Sequence, residues 1–458
     1  MNNKQTEDKK SRTFPVVLSF LLICLCVLLS ACGASGGRHV GTVEEVPLTP
    51  DTSTVMDFRF EDHLGAAGQL LEELKTAPEE DFTVEPVTLD GTDGVSILSY
   101  NGTDSHVRIP DRIGGFAVLS IGPEAFSDNV SLEGLAIPSG VKSVSPGCLQ
   151  GANRLVLLSM PTLPDQHLGA LFGAATWRNN RMYIPSSLLY LCLSGGESIS
   201  EYQYAECIHL KAVLLPDTLE AMEACAFYGC TDLEEIRFPE RMERIGERAF
   251  LDCRGLHDLI LPDLQSAGQG ILEGCMSVRS LSLPFLGKEN GDGETAFLAF
   301  TFGSDDVTWT RYIPESLEEL TLRGGTCLFP MAFYRCTSLR TLHLPPSLEE
   351  IGDRALAGCE MLRSLDVPDS VSRIGAEACK NCLRLTQVNL PQGLSELGIQ
   401  CFMECISLSE ITLPDSLTSI PNGCFADCSA LREVHAGAGI ETGAEAFAHT
   451  PLSEPDET

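Results

Sequence analysis

Cysteine and histidine are the residue types in this chain best suited to chemistry, because clusters of either can bind zinc or supply a nucleophile and its base. The 458 residues include 19 cysteines and nine histidines, and none of the histidines falls in a His-Glu-x-x-His or related ligand motif. Close cysteine pairs with the spacing of metal ligands occur three times, at Cys379/Cys382, Cys401/Cys405 and Cys424/Cys428.

A structural explanation fits these cysteines better than a metal site. Nine cysteines share one position of a repeated pattern: Cys207, Cys230, Cys253, Cys275, Cys336, Cys359, Cys382, Cys405 and Cys428. The even count of 16 beyond residue 32 would also suit disulfides in a secreted protein. However, residues stacked at one repeat position point the same way about 4.8 Å apart, whereas a disulfide needs converging Cβ atoms about 3.8 Å apart. We expect buried, unpaired thiols that donate weakly to backbone carbonyls, and no metal.

Catalytic motifs are absent from the sequence. It contains no Gly-x-Ser-x-Gly elbow, no phosphate-binding loop and no dinucleotide fingerprint. Residues 289–294, Glu-Asn-Gly-Asp-Gly-Glu, are faintly similar to a calcium loop but lack its ligand spacing, and a solvated insertion is the alternative. The net charge of −33 excludes nucleic acid, which requires a basic surface. The sequence predicts a protein that is not an enzyme and uses no cofactor.

The elements that position the cysteines repeat with a fixed period. From residue 340 to 431, cysteine, proline and an aliphatic residue each recur every 23 residues, which is typical of a solenoid built from stacked coils. Within one coil, Leu342 and Leu344 alternate as in a strand, and Pro345 ends it. Gly352 suits a tight bend, and the residues before Cys359 indicate one short helical turn.

This unit resembles the BspA-like leucine-rich repeat, Leu-x-x-Ile-x-Leu-Pro-x-Ser-Leu-x-x-Ile-Gly-x-x-Ala-Phe-x-x-Cys. Residues 409–428 match the pattern closely, with Pro421 where glycine is usual, and the resemblance covers about residues 100–452. It implies a curved α/β solenoid with one short strand and one short helical turn in each coil. By analogy with proteins of this family, it also implies a bacterial surface protein, possibly an adhesin, that binds macromolecules.

The repeat divides the chain into about 14 coils, mostly of 22–23 residues, across residues 107–452. Two coils are longer, near 161–187 and 284–316, and each carries Phe-Gly and a tryptophan in place of the phenylalanine and cysteine positions. Before them, residues 57–106 predict a helix near 62–76 and a hairpin with its turn at 90–94, which together cap the first coil. Residues 453–458 read as an acidic tail.

The N-terminus carries the pattern of an export signal. Four basic residues precede an apolar run from Phe14 to Leu29, too short for a typical spanning helix and suited to a secretory signal. The run ends Leu29-Ser-Ala-Cys32-Gly, which resembles a bacterial lipobox and implies cleavage of residues 1–31 and lipidation of Cys32. The alternative is an uncleaved signal anchor. Residues 32–56 are a flexible tether, so the membrane is reached through the N-terminal lipid only and the protein is extracytoplasmic.

The outward side of the strands is the predicted binding surface. The residue between the last two leucines of each strand points away from the core, and the row of these residues is mixed in chemistry. The candidate ligand contacts are Arg237, His343, Asp366, Asn389, Thr412 and His435, with Arg340 and Arg363 beside them. The alternative is that these residues merely suit a β surface. Stacked strands of this number span about 65 Å, enough for a standard protein interface.

The two tryptophans are a second candidate contact site. Trp177 and Trp309 would suit hot-spot contacts if exposed, or would fill their own enlarged coils if buried. The function predicted from the sequence is therefore a lipid-anchored surface protein that binds a protein or other macromolecule. The alternative is a scaffold of the cell envelope without a dedicated ligand.

Overall fold

The computed structural model describes residues 63–308 and 310–453, and the predictions for Cys32, Trp309, the signal, the tether and the end of the acidic tail lie outside this part. The described chain is a solenoid of parallel strands arranged in two rows. The first row contains β1 (Lys75–Thr76), β4 (His106–Arg108), β7 (Gly134–Ala136), β9 (Leu157–Met160), β10 (Tyr190–Leu193), β12 (Ala212–Leu214), β14 (Glu235–Arg237), β16 (Asp258–Ile260), β18 (Ser280–Leu283), β19 (Glu319–Leu322), β21 (Thr341–His343), β23 (Ser364–Asp366), β25 (Gln387–Asn389), β27 (Glu410–Thr412) and β29 (Glu433–His435).

The second row lies where each coil turns back. It contains β8 (Ser143–Val144), β11 (Ser198–Ile199), β13 (Ala221–Met222), β15 (Arg244–Ile245), β17 (Ser266–Ala267), β20 (Cys327–Leu328), β22 (Glu350–Ile351), β24 (Arg373–Ile374), β26 (Glu396–Leu397), β28 (Ser419–Ile420) and β30 (Glu441–Thr442). The predicted leucine-rich repeat solenoid is confirmed, and β1 adds one strand to the 14 that the sequence marks, because it pairs in parallel with β4.

Burial follows the repeat pattern within each coil. In β21 the central Leu342 is buried while Thr341 and His343 on either side are exposed, as alternation along a strand requires. The segment predicted as a short helical turn is a hydrogen-bonded turn in the regular coils. Two residues of this turn adopt positive φ, such as Arg354 (55°) and Gly358 (79°), which lets a coil reverse direction within a few residues.

The interior consists of stacked rows of like residues. Phe402, Phe425 and Phe447 lie one above another with ring centroids 5.6 Å apart and planes within 6° of parallel. Phe402 is fully buried. Burying one such ring stabilises the fold by roughly 1.5–3 kcal/mol, so a coil depends on its neighbours for most of its stability.

The cysteine row satisfies backbone carbonyls, as predicted. The Sγ atom of Cys253 donates to the carbonyl oxygen of Phe227 in the preceding coil at 3.1 Å. The same bond, 26 residues back, is made by Cys230, Cys275, Cys359, Cys382, Cys405 and Cys428. All 16 cysteines in the described part are free thiols, and all but Cys327 are buried. These thiols pair with carbonyl groups that would otherwise be buried without a donor.

The two long coils replace the regular turn with short helices. The first contains 3₁₀ helices at Leu168–Phe172 and Trp177–Asn179, followed by α2 (Asn180–Tyr183). The second contains α3 (Leu298–Thr301) and a 3₁₀ helix at Thr310–Tyr312. Asn180 is completely buried in the first long coil and donates from its Nδ2 atom to the carbonyl of Ala205 at 2.7 Å.

At the N-terminal end, α1 (His63–Glu73) precedes an antiparallel hairpin formed by β2 (Phe82–Leu89) and β3 (Thr92–Tyr100). The turn residues Asp90 and Gly91 both have positive φ. A 3₁₀ helix at Glu79–Asp81 leads into the hairpin. The hairpin joins β6 (Phe116–Ile121), which pairs with β5 (Arg112–Ile113) and with β8 of the second row. None of the helices in the described part combines the length and apolar character needed to cross a lipid bilayer.

Candidate functional site: the strand face

We call the outward side of the first strand row the strand face. Its first half is covered, because α1 lies across β7, β9, β10, β12 and β14 instead of closing the end of the stack. Ala67 and Leu74 of α1 form a small second core with residues of these strands: Ala136, Leu157, Tyr190, Cys192 and Ala212. We call this half the covered face. Burial there raises the pKa of the Cys192 thiol to about 12.

Small residues on the strands make room for α1. A Cβ atom added to Gly134 would lie 2.6 Å from Cδ2 of Leu74, so a larger residue at this position would push the helix outward. The sequence pattern agrees with the coverage, because the outward positions are apolar or small from Ala136 to Leu214 and become charged at Arg237. This change of polarity along the row is the signal by which the helix position could have been predicted.

Polar contacts fix both ends of α1. At its start, the backbone N–H of Leu64 donates to a carboxylate oxygen of Glu235 at 2.8 Å, and Nε2 of His63 lies 3.1 Å from the carboxylate of Glu234. Near its end, Arg108 donates to the carbonyl of Leu71 at 2.8 Å. Burial alone would raise the pKa of Glu234, but the hydrogen bond and charge of Lys211, with His63, bring it below its ordinary value.

Beyond β14 the strand face is open, and the predicted contact residues lie there. Arg237, His343, Asp366, Asn389, Thr412 and His435 are all exposed. We call the outward side from β14 to β29 the open face. Arg363 is exposed one residue before β23, while Arg340, one residue before β21, is partly buried. The structure therefore brings the predicted strand residues onto one continuous side of the stack.

Contacts between successive coils connect several residues of the open face. Asn389 donates from its Nδ2 atom to the carboxylate of Asp366 on the neighbouring strand. The Nε2 atom of His343 lies 3.6 Å from the carboxylate of Glu319, and Nε of Arg340 lies 3.2 Å from that of Glu318. Such exposed pairs contribute little stability, so the composition of this side is not explained by folding alone.

Glu410, Glu433 and His435 form the one cluster in the described residues whose donor atoms, all within 4.8 Å of one another, could hold a metal. Glu410 and Glu433 are register partners on parallel strands, where two like charges repel. All three side chains are exposed. This register also places Glu410 in the row of Thr341 and Ser364, one position away from the row of Arg340 and Arg363.

A groove of about 860 Å³ lies where the covered face meets the open face. Its walls include Leu64 of α1, Arg237 and Phe238 at the end of β14, and Ile260 of β16. Arg323 reaches the groove from a later coil and donates to Ser282 at 2.7 Å and to Asp263 at 2.9 Å. Ile260 is 44% exposed, an unusual position for a large aliphatic side chain. We call this site the boundary groove.

Comparison with known families identifies the repeat. Six copies of the BspA type leucine-rich repeat region match the chain across residues 106–174, 193–295 and 326–454. The chain belongs to this family. The unmatched stretches, 175–192 and 296–325, fall in the two long coils, so the insertions with Trp177 and Trp309 are departures from the BspA-type repeat.

Solved structures similar to this BspA-type protein are also leucine-rich repeat proteins. One from Bacteroides ovatus is 20% identical, with a TM-score of 0.38, and the match covers 77% of this chain and 98% of that chain. A leucine rich cell surface protein from Faecalibacterium prausnitzii is 17% identical, with a TM-score of 0.27, covering 78% and 96%. The pneumococcal vaccine antigen PcpA is 18% identical, with a TM-score of 0.29, covering 80% and 89%. No curated protein sequence matches the chain.

Trp177 lies away from the strand face, in the first departure from the BspA-type repeat. It is partly buried and stacks on Tyr202 of the next coil, with ring centroids 4.3 Å apart and planes 2° from parallel. Tyr228 meets it edge-on at 5.9 Å, and the guanidinium of Arg178 lies 4.7 Å from its ring centroid. The ring therefore joins neighbouring coils at the surface, and both of the predicted roles for Trp177 are still predictions.

Proposed function

We propose that this BspA-type repeat protein is an extracytoplasmic, lipid-anchored protein that binds a macromolecular partner through its open face. Leucine-rich repeats of bacterial surface proteins generally act as protein-interaction modules. The observation that carries the proposal is the division of the strand face. An intramolecular helix covers the apolar half, whereas Arg237, Asp366 and Thr412 are exposed on the other half.

The open face has the dimensions and chemistry of a protein interface. Its nine strands from β14 to β29, about 4.8 Å apart, extend roughly 40 Å, which accommodates a standard interface of about 800 Å² on each partner. Cationic, anionic and neutral hydrogen-bonding groups alternate along it. A mixed row of this kind favours a partner with complementary charges over a uniformly charged polymer or a lipid surface. Adhesion to host or bacterial surfaces is the activity that such binding would serve.

The binding proposal is tested by two threonines of one coil. Thr412 is exposed on the open face, and Thr418 is exposed at the start of the second row. Surface proteins captured by the mature chain provide a partner for titration. Thr412→Arg is expected to weaken that partner's binding at least about tenfold, through steric and charge mismatch, while Thr418→Arg leaves it unchanged. Equal affinity of both variants would move the contact off the open face.

The proposed anchor is tested separately, because it depends on Cys32. Growth with a labelled fatty acid is expected to label the natural protein and to leave Cys32→Ser unlabelled and retained as the longer precursor. A control substitution in the tether, Ser35→Ala, preserves labelling. Incorporation of label by Cys32→Ser would favour the signal-anchor alternative.

A scaffold role is the second candidate function, and one observation favours it. Asp366 and Asn389 bond to each other across neighbouring strands, as expected of residues that only complete a β surface. If the protein is a scaffold, substitutions on the open face that leave folding intact will also leave the cell-envelope phenotype of the natural protein intact. A deletion phenotype rescued fully by the Asp366→Ala/Asn389→Ala variant would support this second function over ligand binding.

A further inference from the structure

The boundary groove coincides with an interruption of the first strand row. Hydrogen-bonded pairing runs continuously from β1 to β14 and resumes at β16, but no ladder joins β14 to β16. On the open side of this interruption, Ile260 is exposed beside Pro262, and Phe238 is only partly buried. The structure thus leaves an apolar recess at the position where α1 stops covering the strands.

The chain that precedes α1 must leave the helix at this groove. The end of α1 lies near β4, where Arg108 holds Leu71, and its start lies at β14, where Glu235 holds Leu64. Residues before His63 therefore continue toward β16. Because Glu235 takes the N–H of Leu64, that N–H is not bonded to the carbonyl of Phe60, as it would be if the helix continued one turn further.

The sequence of this preceding segment complements the groove. Residues 56–62 read Met-Asp-Phe-Arg-Phe-Glu-Asp. In an extended chain, Met56, Phe58 and Phe60 fall on one side, and Asp57, Arg59 and Glu61 fall on the other. The apolar side matches Phe238 and Ile260. The acidic residues suit Arg237, which is exposed and has no ion pair within residues 63–308 and 310–453.

We propose that residues 56–62 bind in the boundary groove of the same chain, with Phe58 and Phe60 packed against Phe238 and Ile260. The segment then extends the cover provided by α1 beyond β14 and places the N-terminal tether over the beginning of the open face. Five to six extended residues reach about 18 Å, which spans the strands from β16 to β19. This inference does not depend on the proposed partner, since the occupant belongs to the protein itself.

Photocrosslinking in the full mature chain tests where the segment lies. With p-benzoylphenylalanine in place of Phe58, irradiation is expected to join position 58 to peptides within residues 236–263 of the same chain. The control carries the same photoreactive residue in place of Phe116, which is 55% exposed on β6. Crosslinks between two chains would assign the groove to a second copy and overturn the proposal. Crosslinks scattered as widely as those of the control would also overturn it.

Hydrogen exchange of the groove supplies an independent measurement. Phe58→Asp is expected to speed exchange about tenfold in peptides that cover residues 258–263, because the apolar occupant is lost. Val46→Asp, in the more distant tether, adds the same charge and is expected to change nothing. Because both substitutions precede the described solenoid, distant coils serve as an internal check on folding. Exchange in residues 258–263 that is identical in the natural protein and Phe58→Asp would contradict the proposal. Neither experiment requires an external partner, so its result is independent of the partner-binding test.

Discussion

The backbone N–H of Leu64 donates a 2.8 Å hydrogen bond to the carboxylate of Glu235, 171 residues further along the chain. This contact fixes the start of α1 on the sixth coil after β1–β4 begin the stack, and it divides the strand face into a covered and an open part. A carboxylate at a helix start also interacts favourably with the helix dipole. The position of α1 is therefore encoded both by its apolar side and by its start.

Cys192 reports whether α1 stays on the covered face. Ala67 is completely buried there, and Ala67→Asp is expected to displace the helix, because it would bury a carboxylate without a partner. Once exposed, Cys192 loses the burial that raises its pKa to about 12, so iodoacetamide at pH 8 should label it at least about tenfold faster.

Two controls distinguish release of α1 from general unfolding. Gln69→Asp places the same charge on the exposed side of α1 and should leave Cys192 protected. Cys148 is buried in the main core, where its pKa is also raised by burial to about 12, and should stay unreactive in both variants. Equal labelling of Cys148 and Cys192 in Ala67→Asp would show that the whole solenoid has loosened.

The same helix is expected to loosen in acid. Lys211 and His63 outweigh burial and lower the pKa of Glu234 in the fold below its ordinary value of 4.5. A carboxyl group with a lowered pKa stabilises the fold above its ordinary pKa, and this stabilisation is lost as the pH falls through the lowered value. Hydrogen exchange in residues 63–73 should therefore rise relative to the central coils as the pH is lowered from 6 to 3.

Glu234→Gln supplies the control for this pH dependence. The amide cannot titrate, so α1 in this variant should already exchange faster at pH 6 and should change less on acidification. A pH response of α1 that is the same in Glu234→Gln as in the natural chain would assign the effect to another group.

The repeat made most of the fold predictable, whereas long-range docking did not follow from it. The 23-residue spacing of Pro345, Pro368 and Pro391 predicts the strand positions, because each coil repeats the same local solution. The apolar stripe of α1 predicts a helix but not its docking surface, which depends on Glu235 and Gly134 far along the sequence. The outward residues of the open face were predictable by alternation, although their contacts between coils, such as Asp366 with Asn389, depend on register.

The cysteine row is expected to consist of thiols in the purified protein. Neighbouring cysteines of the row donate to carbonyls of the preceding coil, as Cys405 does to Cys379 at 3.2 Å, so each Sγ already has a partner. Alkylation in denaturant without reductant should modify most of the nine row cysteines, as read by mass spectrometry. In the native protein, Cys327 should react before the row cysteines, because it alone is not fully buried. Native disulfide peptides that join consecutive row cysteines would contradict this arrangement.

Phe402 tests the dependence of each coil on its neighbours. Its ring is fully buried against Phe425, so Phe402→Ala should lower the free energy of unfolding by about 3–5 kcal/mol through lost burial and a cavity. Coils near residue 402 should exchange hydrogen faster than distant coils, since the stack transmits stability mainly between neighbours. Denaturant unfolding measures the first effect, and hydrogen exchange measures the second.

The double variant Asp366→Ala/Asn389→Ala is the surface control for Phe402→Ala. It removes one exposed hydrogen bond on the open face and should change the free energy of unfolding by less than about 1 kcal/mol. The core variant should thus be destabilised by several times more than the surface variant, although the latter changes two residues. If Phe402→Ala were as stable as the natural protein, the phenylalanine row would not be the structural core of these coils. A large loss of stability in the surface variant would instead show that the bond between Asp366 and Asn389 is part of the folding energy, and the open face would lose its character as a surface reserved for binding.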